Sequence, residues 1–364
     1  MKTSELLSII NQHVPFASAE SWDNVGLLIG DTNQEVNGIL TALDCTFDVV
    51  DEAIEKNINT IIAHHPLIFK GVKNINEGGY GTIIRRLIQN NIQLIALHTN
   101  LDVYQYGVNA MLSKRIGIKN AEILEPQTES YYKVQVFIPE ENVVEFKDKM
   151  NDQGFASEGD YEYCFFSTKG DGQFKPVDGA NPHIGQLNEI ETVEEVKVEF
   201  MIQNNERAKA EYFINALHQY ETPVYDFIPL TKSLNRGLGM IGDLPEQTTL
   251  KALASAIKTQ LDIPSVRFTG NPNALISKAA VIGGSGIGYE QYAHQKGADV
   301  FITGDIKHHD ALDAEIDGYH LIDINHYSEY VMRDGLKALL EQWLEGKVDN
   351  IEASHLNTDP FNYV

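Results

Sequence analysis

Apolar and polar positions alternate with a steady rhythm over residues 36–117. VNGILTALD reads as a strand, FDVVDEAIEKN as an amphipathic helix and NTIIAHHP as a second strand. YGTIIRRLIQNN is then helical, IQLIALHTN strand-like and GVNAMLSKRIG helical. Near-continuous β-branched runs separated by amphipathic helices predict βαβ units around a buried, largely parallel sheet. The rhythm resumes at TTLKALASAIKTQL, a helix, followed by the strand ISKAAVIGG, the helix GYEQYAHQKG and the strand DVFITGD. KHHDALDAEID is then helical, YHLIDI a strand and SEYVMRDGLKALLEQWLEG a long helix. Two α/β lobes, residues 1–126 and 232–364, are therefore expected to build one core. IIAHHP and VFITGDIKHH look loosely alike, which raises a relation between the lobes without establishing a duplication.

Between the lobes the pattern changes. YYKVQVFIP is a strand, ENVVEFKDKMNDQG a helix, YEYCFFSTKG and VEEVKVEFMI strands, NERAKAEYFINALHQYE a helix and PVYDFIPL a strand. That βαββαβ order predicts an inserted α+β, ferredoxin-like domain over residues 127–231, whose ends can lie close together. KGDGQFKPVDGANPHIG reads as a long exposed loop, and EIETVEEVKVE as a solvated strand face with its approach. Tyr161, Tyr163, Phe165 and Phe166 are read as core and cross-strand packing.

Charge narrows the partners. Lys and Arg number 28 against 52 Asp and Glu, a formal net charge of −24. Such a surface repels phosphate backbones and anionic lipid, and no basic patch offsets it, so neither nucleic acid nor membrane is an expected partner. Cys45 and Cys164 are far apart without CxxC spacing and read as buried free thiols of a reducing compartment. The opening MKTSELLSIINQHVPF has helical spacing rather than a basic-then-apolar layout, and no apolar run has the length of a membrane span. A cytoplasmic location is expected.

Candidate chemistry gathers at three strand ends. His64 and His65 close the run NTIIA, and Pro66 after them stops the strand. Asp102 lies just past the strand of LHTNLD, and His326 and Glu329 follow YHLIDI three residues apart on one helical face. In open α/β sheets, sites form outside the carboxyl ends of the strands. Successive strand side chains point to opposite faces, so His64 and His65 cannot easily chelate one ion. Each could serve a different ion, with carboxylates bridging. Imidazole and carboxylate donors suit zinc first, with iron(II) or manganese as alternatives. Five side chains shared by two divalent ions leave positions for water, as catalytic rather than structural sites do. Taken singly, an HH pair or an i,i+3 His/Glu pair is an ordinary solvent-facing feature; the joint occurrence at three strand ends carries the reading.

At these residues the chain resembles the GTP cyclohydrolase 1 type 2 homolog family, also called Nif-three-like proteins, in the long bacterial form with a PII-like insertion. The matching segments are SWDNVGLLIG at 21–30, AHHPLIF at 63–69, LHTNLD at 97–102, TGDIKHHDALDA at 303–314 and LIDINHYSEY at 321–330. The resemblance implies a dinuclear metal site on His64, His65, Asp102, His326 and Glu329, and a toroidal homohexamer with the metals facing an internal cavity. Many relatives carry Gly at Asn325, and some space the final His and Glu four apart, which keeps them on one helical face.

His98, Asp305, His308 and His309 also stand near strand ends. His98, Asp305 or His309 could act as a general base or proton shuttle beside metal-activated water. Equally, Asp305 could cap the helix beginning near Ile306, and His98 could be a satisfied histidine in a turn. GGSGIG at 283–288 could hold a phosphate on its amides or form a tight βα turn lining the site; it completes neither the dinucleotide nor the GxSxG pattern. The function expected is metal-dependent hydrolysis of a nucleotide-like small molecule. GTP opened at C8 with release of formate comes first, through the resemblance, and phosphoester hydrolysis second. The alternatives are a non-catalytic regulator sensing a small ligand through the inserted domain, and an assembly or metal-chaperone role without turnover.

Overall fold

The computed structural model describes residues 1–364, a mixed α/β chain that separates into two compact units. One comprises residues 1–127 with 235–364, the other residues 128–234. In the first unit, one sheet has the order Gly26–Ile29, Gln93–Ala96, Thr60–Ala63, Ile39–Ala42, Ile351–Ala353. The last four are mutually parallel. Every residue of Ile39–Ala42, Thr60–Ala63 and Gln93–Ala96 is buried, which is why these strands read as unbroken apolar runs rather than alternating ones. The helices between them show the expected signals. Thr46 caps Phe47–Glu55 by accepting the Val49 N–H, and Val49, Val50 and Ala53 form its buried face. Val108–Ile116 ends on Gly117, whose φ of 90° supplies the left-handed cap.

A second set of strands runs in the order Tyr225–Thr249, Leu275–Val281, Val300–Thr303, Leu321–Asp323, Arg267–Thr269. The middle three are parallel and the flanking two antiparallel. The largely parallel character expected is present, with antiparallel strands only at the margins: Gly26–Ile29 in the first sheet, Tyr225–Thr249 and Arg267–Thr269 in the second set. The expected division into successive lobes is corrected, since Ile351–Ala353 pairs with Ile39–Ala42. One apolar core holds Ile39, Ile62 and Ile95 of the first sheet, Val281, Ile302 and Ile322 of the second, and Leu112, Leu336 and Leu340 from helices.

In residues 128–234 the order is strand, helix, strand, strand, helix, strand, with Lys119–Pro139 and Tyr225–Thr249 carrying the chain in and out. The strands lie in the order Phe166–Phe174, Glu191–Gln203, Lys119–Pro139, Tyr225–Thr249. Helices Val143–Asp152 and Arg207–Leu217 contribute Phe146, Met150 and Ile214 to a separate core. The expected loop KGDGQF is strand, paired antiparallel with Glu191–Gln203. The aromatic run before it is not packed as expected. Tyr161 and Phe166 are largely exposed, whereas Phe165 meets Phe200 with ring centroids 5.4 Å apart. Tyr163 takes a φ of 61°, so a turn rather than strand alternation aims these side chains. Cys45 is buried and Cys164 only half-buried, both free.

Gly107, which begins the helix after Asp102, shows how tightly the backbone is held here. A Cβ at this position would lie 1.7 Å from the Leu101 carbonyl oxygen. Gly107→Ala should therefore destabilise the first unit by roughly 1–3 kcal/mol, read as a lowered urea midpoint. An unchanged midpoint would mean that the Leu101–Gly107 turn relaxes freely.

Candidate metal centre

The two strand sets aim their carboxyl ends at one cluster. His64 and His65 continue the strand ladder, their amides donating to the carbonyls of Ala42 and Leu43 at 3.0 and 2.9 Å. The His64 ring is fully buried and the His65 side chain remains 25% exposed, yet both rings turn into the cluster, their ligand atoms within 4.8 Å of each other. Asp102 ends the single turn Thr99–Asp102. Its carbonyl accepts from Asn109 Nδ2 at 2.9 Å, and Asn109 Oδ1 accepts from the Gly283 amide at 2.8 Å, tying the two strand sets together. His326 and Glu329 lie in a 3-10 segment, His326–Val331, where side chains three apart eclipse. His326 Nε2 and Glu329 Oε2 are 3.3 Å apart as a result.

Glu329 is the centre of the cluster. Its Oε2 lies 3.2 Å from His65 Nε2 and 3.8 Å from His64 Nε2. Asp102 Oδ1 is 3.5 Å from His64 Nε2. Two groups with metal-ligand spacing share that carboxylate: His65, His326 and Glu329, and His64, Asp102 and Glu329. A third joins His64 and His65 to His98. The residues GGSGIG serve the cluster as a floor. A Cβ on Gly284 would stand 2.7 Å from Glu329 Oε1, and φ at Gly284 is +60°. The amides of Gly283, Gly286 and Gly288 already donate to Asn109, Thr303 and Glu290. These bonds are those of the tight turn expected to line the site.

Each imidazole is held by its Nδ1. His64 donates to the Leu97 carbonyl at 2.8 Å, His65 to Asp44 at 2.7 Å and His326 to Asp305 at 2.7 Å. His98 donates to Asp23 at 2.9 Å, and Asp23 also accepts from the Thr99 amide and hydroxyl. Such outer partners fix the tautomer that leaves Nε2 as a lone-pair donor, the arrangement of metal-ligating histidines. His64 Nε2 is sealed from solvent and has no hydrogen-bond partner. An imidazole nitrogen buried in that state is costly unless something electrophilic meets it. The donor set therefore fits a cation.

The electrostatics agree. Burial opposes protonation of His65, yet Asp44 and Glu329 push its pKa up to about 10. Donation to the Glu329 carboxylate leads in raising His326 to about 9. Burial raises Asp102 to about 7 against the pull of His64. Glu329 falls well below its ordinary value, because His326, His64 and His65 overcome its burial. Burial and the charge on His64 lower His98, so it stays neutral and can exchange a proton.

The five residues expected as ligands thus come together, with His98 beside them. Asp305 orients His326 and does not cap a helix: Lys307 holds the cap position of His308–Ile316 and makes no side-chain cap. His308 and His309 are exposed, and their rings pack on each other at 5.3 Å. Asp44 and Asp23 were missed. Asp44 sits at the end of strand Ile39–Ala42, where the strand-end rule would have found it, whereas Asp23 reaches His98 from 75 residues away. A cavity of about 1210 Å³ opens on His65 and His326, with Arg267, Lys307 and Tyr327 in its walls.

A family model described as Duf34/NIF3 (NGG1p interacting factor 3) matches residues 1–360. A Staphylococcus aureus (strain COL) protein named GTP cyclohydrolase 1 type 2 homolog is 60% identical over 100% of both chains. A crystal structure of the Staphylococcus aureus protein SA1388 superposes with TM-score 0.84 at 54% identity, covering 100% of this chain and 99% of that one. A Bacillus cereus protein related to NIF3 superposes with TM-score 0.72 at 39% identity, again over 100% and 99%.

Protons and cations compete for these ligands. Because His65 and His326 titrate near 10 and 9 when only protons are available, a cation must displace protons to enter. Calorimetric titration with Mn²⁺ or Zn²⁺ should show proton release into the buffer and an affinity that rises with pH from about 6 to 9. Affinity independent of pH over that range would remove the imidazoles from the ligand set.

Proposed function

The chain belongs to the Duf34/NIF3 family, and from that premise we propose that it is a metal-dependent hydrolase. It would hold two divalent ions, zinc first and iron(II) or manganese as alternatives, and act on a nucleotide-like substrate. The observation that carries this reading is Glu329, a buried carboxylate common to two three-residue groups of metal-ligand spacing. His65 and His326 would hold one ion, His64 and Asp102 the other, with Glu329 bridging. Two divalent ions held there would supply Lewis acidity and acidify a water to near neutral pH.

The protein's own groups do the rest. Asp44, Asp305 and the Leu97 carbonyl lock the ligand rings. His98, neutral and braced by Asp23, is placed to move a proton at Nε2. The cavity beside His65 and His326 has room for a nucleotide-sized molecule, and Lys307 in its wall offers a positive charge to an anionic one. Opening of GTP at C8 with formate release is the first reaction to test, since the curated relatives carry that name; phosphoester hydrolysis is the second. Residues 128–234 are read as an inserted ferredoxin-like domain, supported by their element and strand order. A toroidal homohexamer is the assembly that the family resemblance implies. No helix is long and apolar enough to cross a membrane.

Two experiments follow. Elemental analysis should find about two ions per chain, one lost in His326→Ala and both in Glu329→Ala, with the melting temperature falling when metal is removed. Full metal content in Glu329→Ala would sink the bridging assignment. Separately, metal-replete protein incubated with GTP should release formate, and Asp102→Ala should not. Phosphate alone would favour the phosphoesterase. If neither product forms with zinc, manganese or iron(II), the non-catalytic regulator becomes the better reading.

A further inference from the structure

Residues 128–234 hold a cavity of their own, about 440 Å³, within the size range of small-molecule sites. Its walls include Phe137, Phe174, Pro176, Val224, Glu195 and Tyr220. Phe174 and Tyr220 lie with ring centroids 5.9 Å apart. The turn that presents Tyr220 is braced by His218, which donates from Nε2 to the Phe137 carbonyl at 2.7 Å and accepts the Tyr220 amide on Nδ1 at 3.0 Å. Both nitrogens are thereby spent inside the fold, and the imidazole is kept neutral.

Two polar groups in this cavity face each other. The Tyr220 hydroxyl is buried without a hydrogen bond of good geometry, and burial followed by the neighbouring Glu195 carboxylate keeps it protonated. The lysines nearest in register to Glu195 are engaged elsewhere: Lys169 pairs with Glu140, and Lys197 with Glu199. Glu221 is occupied in accepting the Asn181 amide, and Lys175 stands at the exposed rim. Room for the Glu195 carboxylate is made by Gly172, where a Cβ would come within 2.1 Å of Oε2. A glycine inside a strand weakens it, and close approach by another group is one physical reason to keep it there.

A half-enclosed apolar cavity with aromatic walls and an unneutralised carboxylate complements an organic cation. We propose that it binds a small organic amine with a flat apolar body, the ammonium meeting Glu195 and Tyr220 and the body lying on Phe137 and Phe174. The site stands apart from the metal reading, since none of its residues belongs to the cluster of His64 and Glu329.

Tryptamine is a suitable probe, with indole-3-acetate as its anionic counterpart. In calorimetric titration of the full-length, metal-loaded protein, tryptamine should bind saturably at one per chain and indole-3-acetate should bind at least roughly tenfold more weakly. Glu195→Gln should weaken tryptamine roughly tenfold or more, and Phe174→Ala should weaken it as well. The proposal is overturned if the anion binds as tightly as the amine, if Glu195→Gln leaves tryptamine unaffected, or if neither probe saturates. Should a variant prove misfolded by circular dichroism, the comparison of the two probes on the native protein decides alone.

Discussion

A carboxylate buried among three imidazoles is the constraint on which the rest of the first unit depends. Glu329 has given up its water, and His64, His65 and His326 make its ionised form tolerable. Those rings come from two sheets, so the sheets must meet with their carboxyl ends converging. The Asp102–Asn109–Gly283 relay holds them there, and the apolar core beneath is common to both. Glycine at 283 and 284 follows from the same demand, because no side chain fits between that turn and the Glu329 carboxylate. The cluster is thus built into the packing rather than decorating its surface.

Much of this was legible along the chain, for a physical reason. His64 and His65 follow a run so apolar that its end can only be the edge of a buried strand, and His326 and Glu329 have a spacing that any tight helical turn converts into a pair. Asp102 was legible as a carboxylate just beyond a strand. What stayed hidden depends on contacts between distant segments. Asp23 acquires its role only through His98 and Thr99, and nothing in its own neighbourhood signals that. Ile351–Ala353 is three residues long, too short to show a period. His308 and His309 misled because they resemble the HHP of the first lobe. The φ of 52° at Asp305 turns the chain before them, and the helix then begins with both rings in solvent.

The net charge of the chain also takes on a different meaning at the cluster. A formal charge of −24 argues against polyanionic partners over the surface as a whole, yet local charge decides a local site. At the cluster, Glu329 with Asp44 and Asp305 holds His65 and His326 protonated to well above neutral pH. Protons there stand in for cations. Exchanging them for divalent ions would leave the ligand sphere nearly neutral or positive, so an anionic substrate would meet a favourable field inside an acidic protein.

The same neighbourhood holds a cysteine that does not join the candidate donors. Cys45 lies in the wall of the large cavity, next in sequence to Asp44. Burial, with the charge of Asp44 added, pushes its thiol up to about 12, so the thiolate that soft metals require is not available. Asp44, meanwhile, is held below its ordinary value, its burial outweighed by His65 and then by the hydroxyl of Thr358. Asp44 therefore orients the His65 imidazole and adds to the burial that keeps the Cys45 thiol protonated. The candidate donors that remain are borderline imidazole nitrogen and hard carboxylate oxygen.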